Sequence, residues 1–268
     1  MSKFDVKDRL DALMYSAYNV ISDVIFGLDF ESKNLVRRNM AFKNINDGKR
    51  CFILGTGPSL RTLTESQVDK LKSEVLFGVN SFYKSNFASL LTPKYYTLID
   101  NLYWEGLSGT FAEVVEKYSD NPPVFITDPR AKGIVSGLSL DKDSIYIYSK
   151  KYPVKEMSSE IAKNVYAAMN CISYSILVAI YMGFKEVYLL GCDYNAFCSA
   201  GAGHCYDDKD EIKENPYNLA FYLKFYWITT EFHYLIAKLA NKEGVRVVNL
   251  TPGSLLDAYP RKPASGVI

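Results

Sequence analysis

Histidine occurs only twice in these 268 residues, at positions 204 and 233, which leaves few imidazoles for catalysis or metal binding. Net charge is equally scarce: 31 basic side chains stand against 30 acidic ones, a formal +1. Non-specific nucleic-acid binding needs a broad positive field, so no nucleic-acid partner is expected and phosphate recognition must be local. The five cysteines are odd in number and scattered, which implies no disulfide framework. Cys51, Cys171 and Cys192 sit in apolar runs, where thiols act as small hydrophobes. Cys192, Cys198, His204 and Cys205 lack the paired Cys-x-x-Cys spacing of a zinc site. The apolar run from Cys171 to Phe184 is too short to cross a bilayer, so no transmembrane segment is expected. Lys3, Asp5, Lys7, Asp8, Arg9 and Asp11 make the N-terminus too charged for a secretory signal, and a cytoplasmic protein is expected. No repeat or low-complexity tract occurs.

What is present is core material. Hydrophobic residues make up 48% of the chain and aromatic ones 14%, with 21 tyrosines that serve equally as packing or as hydroxyl-bearing pocket walls. Residues 5–25 space Val6, Leu10, Leu13, Ala17, Val20, Ile21 and Val24 by threes and fours, the pattern of an amphipathic helix. A second helical stretch over 32–45 ends at Asn46-Asp47-Gly48. These form a helical extension, residues 1–48, ahead of a single domain at 49–268. Within that domain, short apolar strands at 51–54, 75–79, 95–99, 124–127, 145–148, 187–190 and 245–250 alternate with helices at 64–72, 102–118, 158–183 and 217–242. The alternation predicts a doubly wound, mostly parallel α/β sheet, whose ligands lie at the carboxyl ends of its strands. The last helix, apolar almost all round, reads as buried or as a pocket wall, and 193–215 reads as a long loop.

Gly55-Thr56-Gly57-Pro58-Ser59-Leu60 follows the first strand directly. Two glycines permit a tight turn and close approach to a ligand, and Ser59 with the following amides suits an anion. No Gly-Lys-Ser/Thr follows and the third glycine of the dinucleotide fingerprint is missing, so neither ATP nor NAD is specified. A plain strand-to-helix turn started by Pro58 is the alternative. Asn80, Asp100 and Asn101 close the second and third strands, suited to nucleotide hydroxyls and base edges or to simple helix capping. Asp193 and Tyr194 follow the sixth strand. Beyond them, His204 lies in a glycine-bearing loop and is the general-base candidate, because imidazole titrates near neutrality. His233, on the apolar helix, reads as a core histidine. Asp207, Asp208 and Asp210 offer clustered oxygens to a divalent metal or a solvated helix start. Ser254, in the turn after the last strand, either closes over a nucleotide or caps an ordinary turn.

The order Gly55-x-Gly-Pro-Ser-Leu60, Phe77-Gly-Val-Asn80, Tyr95-Tyr96 to Asp100, Met182 to Asp193, a histidine loop and Asn249-x-Thr-Pro-Gly-Ser-Leu-Leu256 resembles the 6-hydroxymethylpterin diphosphokinase-like (MptE-like) Rossmann domains. It is also similar to the CMP-sialic acid sialyltransferases of glycosyltransferase family 42. That resemblance implies a transferase of bacterial surface-polysaccharide or lipooligosaccharide assembly, with a nucleotide sugar, CMP-linked by preference, and a glycan acceptor as partners. Gly55, Thr56, Gly57, Ser59, Asn80, Asp100, Asn101, Asp193 and Ser254 would contact the nucleotide. His204 would deprotonate the acceptor, and Tyr194 and Tyr206 would stabilise the leaving phosphate. The sialyltransferases carry an Arg and a Ser where this chain reads Ala168-Met-Asn-Cys-Ile-Ser173, so the resemblance extends to the nucleotide half of the site and does not specify sialic acid as the sugar. No cofactor is required by this reading. Pyrophosphoryl transfer from ATP and a binding module without turnover are the alternatives, and a homo-oligomer or peripheral attachment to the inner membrane face stays open.

Overall fold

The computed structural model describes residues 3–198, 203–207 and 218–268. Helix α1 (Lys3–Leu28) and α2 (Phe30–Arg37) precede a seven-stranded sheet. Its strands are β1 (Arg50–Leu54), β2 (Val75–Val79), β3 (Tyr95–Thr97), β4 (Val124–Thr127), β5 (Ile145–Tyr146), β6 (Glu186–Leu190) and β7 (Arg246–Asn249). They lie in the order β5-β4-β3-β2-β1-β6-β7, and every pairing is parallel. The sheet is therefore α/β with helices on both faces, each face burying its own apolar cluster. All seven strands stand where continuous apolar runs predict them, although β3 and β5 pair over fewer residues than expected.

The helices differ more from expectation. The stretch 102–118 breaks at Gly106 into α4 (Leu102–Glu105) and α5 (Thr110–Lys117), following α3 (Glu65–Leu71) and preceding α6 (Lys132–Gly137). The expected helix at 158–183 begins only at Cys171: α7 is Cys171–Tyr181, and Asn170 starts it by accepting the amides of Ile172 (2.8 Å) and Ser173 (3.4 Å). The residues before it bridge Lys151 to Tyr166 instead of coiling. Ten of its eleven residues are buried, so α7 is a core helix, fastened to the sheet by the Thr97 and Ser175 hydroxyls at 2.8 Å. Helix α8 (Leu219–Lys242) meets α7 where His233 approaches Ser173, and buries Phe232 and Ile236, but Leu219, Leu223 and Trp227 are exposed, which corrects the expectation of a helix with no exposed apolar side.

After α2 the chain tightens into a 3-10 segment, Arg38–Phe42, in place of the second half of the expected helix. Fully buried Asn39 pins it, donating to the carbonyls of Tyr146 (2.6 Å) and Ile161 (2.8 Å) and accepting the Tyr146 amide (3.2 Å). These bonds satisfy the sheet edge at β5, which no further strand pairs. Among the described residues, no helix is long and apolar enough to cross a membrane.

Candidate functional site

Strand order reverses between β1 and β6, and parallel strands leave a crevice at such a switch point. The two chain segments leaving these strands stay together: the Gly55 amide donates to the Leu190 carbonyl (2.7 Å) and the Gly57 amide to Gly191 (2.8 Å). A Cβ on Gly57 would lie 2.6 Å from the Gly191 carbonyl oxygen and overlap the Asp193 carboxylate; one on Gly55 would strike the same carbonyl. Both glycines are thus required by backbone meeting backbone, where a ligand's approach was expected to explain them.

The anion expected at Ser59 belongs to the protein itself. Asp193, 8% exposed, accepts the Ser59 hydroxyl at 2.6 Å and its amide at 3.2 Å. Ser59 lines a separate cavity of about 490 Å³ with Leu63, Pro252 and Arg261. Ser254 is likewise withdrawn: 1% exposed, it donates to the Cys192 carbonyl (2.7 Å) and accepts from Asn249 (2.9 Å) and the Leu256 amide (3.2 Å). The Cys192 amide donates to the Thr251 hydroxyl (3.0 Å), so the C-terminal turn braces the segment after β6; its Thr251, Pro252 and Gly253 line the cavity beside Ser59, and Leu256 lines the strand-end cleft.

A cleft of about 280 Å³ does open at the strand ends, and it gathers Gly55, Thr56, Gly57, Asn80, Asp100, Asp193, Tyr194 and His204. Asn170 and Cys171 bring the positive end of α7 to the same space. Three non-glycine residues lining it have left-handed backbones, Asn80 (φ 47°), Met169 (φ 51°) and Tyr194 (φ 58°), and such strain collects at functional sites. The Tyr96 hydroxyl holds the Asn80 carbonyl at 2.8 Å, and the Cys171 thiol donates to Asn80 Oδ1 at 2.8 Å. The Asn80 amide nitrogen has no protein partner among the described residues, so its two protons remain for a ligand. Burial pushes the Cys171 thiol up to about 12, which keeps it a donor.

Asp100 divides its role: Oδ1 accepts the Leu102 amide at 3.0 Å, the capping alternative, while the residue also lines the cleft. Asn101 lies outside the cleft, in an adjoining chamber of about 720 Å³ with Arg130, Ser149 and Lys150. Asp100, Met169, Asn170, Cys171 and Phe225 line both spaces. In the chamber Asp128 holds Arg130 by two bonds of 2.8 and 3.0 Å, and Lys150 stands 3.9 Å from the same carboxylate.

His204 is fixed through its backbone. Arg61 donates to the carbonyls of His204 (3.1 Å) and Cys205 (3.4 Å), and the Cys205 amide donates to Thr56 (2.7 Å). The histidine loop is thereby tied to the glycine turn, and the His204 ring stacks on Tyr206 with centroids 5.0 Å apart. Tyr206 itself is buried and does not line the cleft. Tyr194 donates to Thr229 and meets Tyr226 edge-on, and burial raises its phenol to about 12. His233 is a core histidine, fully buried between the Ser173 hydroxyl (3.2 Å) and the Tyr259 hydroxyl (3.0 Å), and desolvation lowers it to about 3. Of the residues named for a metal, Asp208 and Asp210 lie outside the described residues, and Asp207 joins no ligating cluster among the described ones. Phe225 and Tyr226 line the cleft, as the pocket-wall reading of the last helix expects; Met169 and Asn170 were not named as site residues, and a cap residue directly before an apolar run was the available signal for Asn170.

The family described as 6-hydroxymethylpterin diphosphokinase MptE-like matches residues 29–197. No curated protein matches the chain. Among solved structures it is similar to the MAf glycosyltransferase from Magnetospirillum magneticum AMB-1, at 14% identity and a TM-score of 0.53, covering 88% of this chain and 39% of that one. The chain thus spans well under half of that enzyme's length. It is also similar to the sialyltransferase CstII from Campylobacter jejuni in complex with the substrate analogue CMP-3FNeuAc, at 18% identity and a TM-score of 0.48, covering 81% and 87%. A sialyltransferase CST-II variant in complex with CMP matches at 17% identity and a TM-score of 0.47, covering 80% and 86%. At these identities the likeness is one of fold, a parallel α/β sheet flanked by helices.

Proposed function

The chain belongs to the 6-hydroxymethylpterin diphosphokinase MptE-like family, and from the fold it shares with the MAf glycosyltransferase and from the cleft we propose that it is a glycosyltransferase acting on a nucleotide-activated sugar. The observation that carries the reading is the convergence of the Gly55–Gly57 edge, Asn80, Asp100, Tyr194 and His204 on one cleft at the switch point. Asn80 offers its amide to the nucleotide, CMP by preference, and the positive end of α7 faces the phosphate. The adjoining chamber takes the acceptor glycan, with Arg130 and Lys150 as its cationic groups. His204 takes the acceptor hydroxyl proton as the oxygen attacks the anomeric carbon. The sugar–phosphate bond then breaks with inversion, and the nucleotide leaves with its electron pair. Tyr194 stands at the leaving group, whereas Tyr206 acts through the imidazole it stacks on. No metal takes part in this scheme. The proposed setting is surface-polysaccharide assembly on the cytoplasmic side.

The test is thermal unfolding with CMP, UDP, CDP and ATP, where a ligand at about 100 times its Kd adds about 2.7 kcal/mol. Stabilisation by CMP, followed by acceptor-dependent nucleotide release from a CMP-sugar, is the expected result. Stabilisation by ATP with magnesium alone would assign pyrophosphoryl transfer instead. Binding with no donor turnover would leave a binding module.

A further inference from the structure

Helix α1 turns its more polar side toward the protein. Its inward residues are spaced by fours and threes. Tyr15 stacks on Tyr152 at 3.7 Å, Asn19 exchanges hydrogen bonds with the Tyr152 backbone at 2.9 and 2.7 Å, Ser22 accepts from Asn164 at 3.0 Å, and Phe26 meets Tyr148 at 4.8 Å. The opposite stripe is Val6, Leu10, Leu13, Ala17, Val20 and Val24, and Leu10, Leu13, Val20 and Val24 are 64%, 73%, 66% and 59% exposed. A helix serving only its own domain buries its apolar stripe and exposes the polar one. Here the order is reversed, so a second surface is needed.

The stripe's spacing says what that surface is. Val6, Leu13 and Val20 recur every seven residues, and so do Leu10, Ala17 and Val24, which makes two apolar positions per heptad, the pattern of a helix that packs along another helix. Among the described side chains of the helix, Lys7 and Arg9 stand against Asp8, Asp11 and Asp23, so they form no basic face of the kind that anionic lipid attracts. We propose that α1 pairs antiparallel with α1 of a second copy of this chain. In that register Leu10 meets Val20, Leu13 meets Ala17 and Val6 meets Val24, large against small at the centre. Each layer occurs twice about a two-fold axis, as a closed dimer requires. The flanking charges agree: Arg9 falls opposite Asp23 of the other copy, twice. A parallel pair would set Arg9 beside Met14 and Asp23 beside Leu28, with no opposite charge. Asp23 is half exposed, with Oδ1 accepting from Asn164 at 3.0 Å and Oδ2 3.6 Å from Lys151, and Arg9 borders an open cavity of about 620 Å³ beside Glu156, so both side chains keep a solvent-facing side.

Sedimentation equilibrium of the full chain at micromolar concentration tests this. Wild type is expected at twice the monomer mass with a melting temperature that rises with protein concentration, and Leu13→Glu with Val20→Glu at the monomer mass with a single cooperative melt independent of concentration. Arg9→Asp alone should weaken the dimer about tenfold, and Arg9→Asp with Asp23→Arg should restore it. A monomeric wild type, a dimer that survives both glutamates, or a double charge swap that fails to rescue would each overturn the proposal. Monomer that binds vesicles of phosphatidylcholine and phosphatidylglycerol would assign the stripe to a membrane surface instead.

Discussion

The carboxylate of Asp193, at the end of β6, holds both the hydroxyl and the amide of Ser59, at the end of β1, so one buried acid locks the two halves of the sheet at the switch point. Removing it strands two donors. Asp193→Ala should cost about 2–4 kcal/mol, read as a lowered urea midpoint, while Asp193→Asn, which keeps one acceptor, should cost less. Ser59→Ala should lower stability and leave nucleotide affinity nearly unchanged. A Ser59→Ala protein of full stability with lost affinity would return this serine to the ligand.

Asn80 combines a strained backbone with an unpartnered amide, and two variants separate these features. Asn80→Gly relieves the positive φ and should leave stability within about 0.5 kcal/mol while nucleotide affinity falls. Asn80→Ala should lose affinity as well and also about 1 kcal/mol of stability. Isothermal titration with CMP alongside denaturation reads both effects.

His204→Ala should lower the transfer rate by about two to four powers of ten with nearly unchanged nucleotide affinity, since a base acts on the acceptor and not on the nucleotide. Tyr206→Leu, which removes the stacked ring, should reduce the rate less and should do so through the turnover number. Equal turnover by the alanine variant defeats the base assignment.

His233 makes stability pH-dependent in a stated direction. Its folded value of about 3 lies below the ordinary 6.5, so the unfolded chain binds the proton more readily and stability falls as pH drops through that window. The slope contributed by this group is about 1.4 kcal/mol per pH unit. His233→Gln should flatten that slope between pH 6 and 4 (about one proton's worth), at some cost in neutral stability from the Ser173 and Tyr259 bonds. Denaturant midpoints across that range decide it.

The strands were legible because burial on both faces writes each as an unbroken apolar run, such as Tyr188-Leu189-Leu190. That Asn80 and His204 would share one crevice was legible because parallel strands deliver their ends to it. The partnership of Ser59 with Asp193 was not, since 134 residues separate them and no local pattern marks an acid's partner. The start of α7 was misjudged because 158–170 is held by long-range bonds, among them Asn164 to Ser22, that override its helical spacing. For α1 the periodicity was readable, but which stripe faces the protein was decided by Tyr15, Asn19 and Ser22 finding partners on the segment beyond β5.

The most direct measurement is a crystal structure of the protein with CMP. The account predicts the phosphate at the start of α7 and the nucleoside between the Gly55–Gly57 edge and Asn80, with the His204 ring facing the adjoining chamber. CMP bound beside Ser59 and Arg261, or the histidine turned away from the nucleotide, would contradict it.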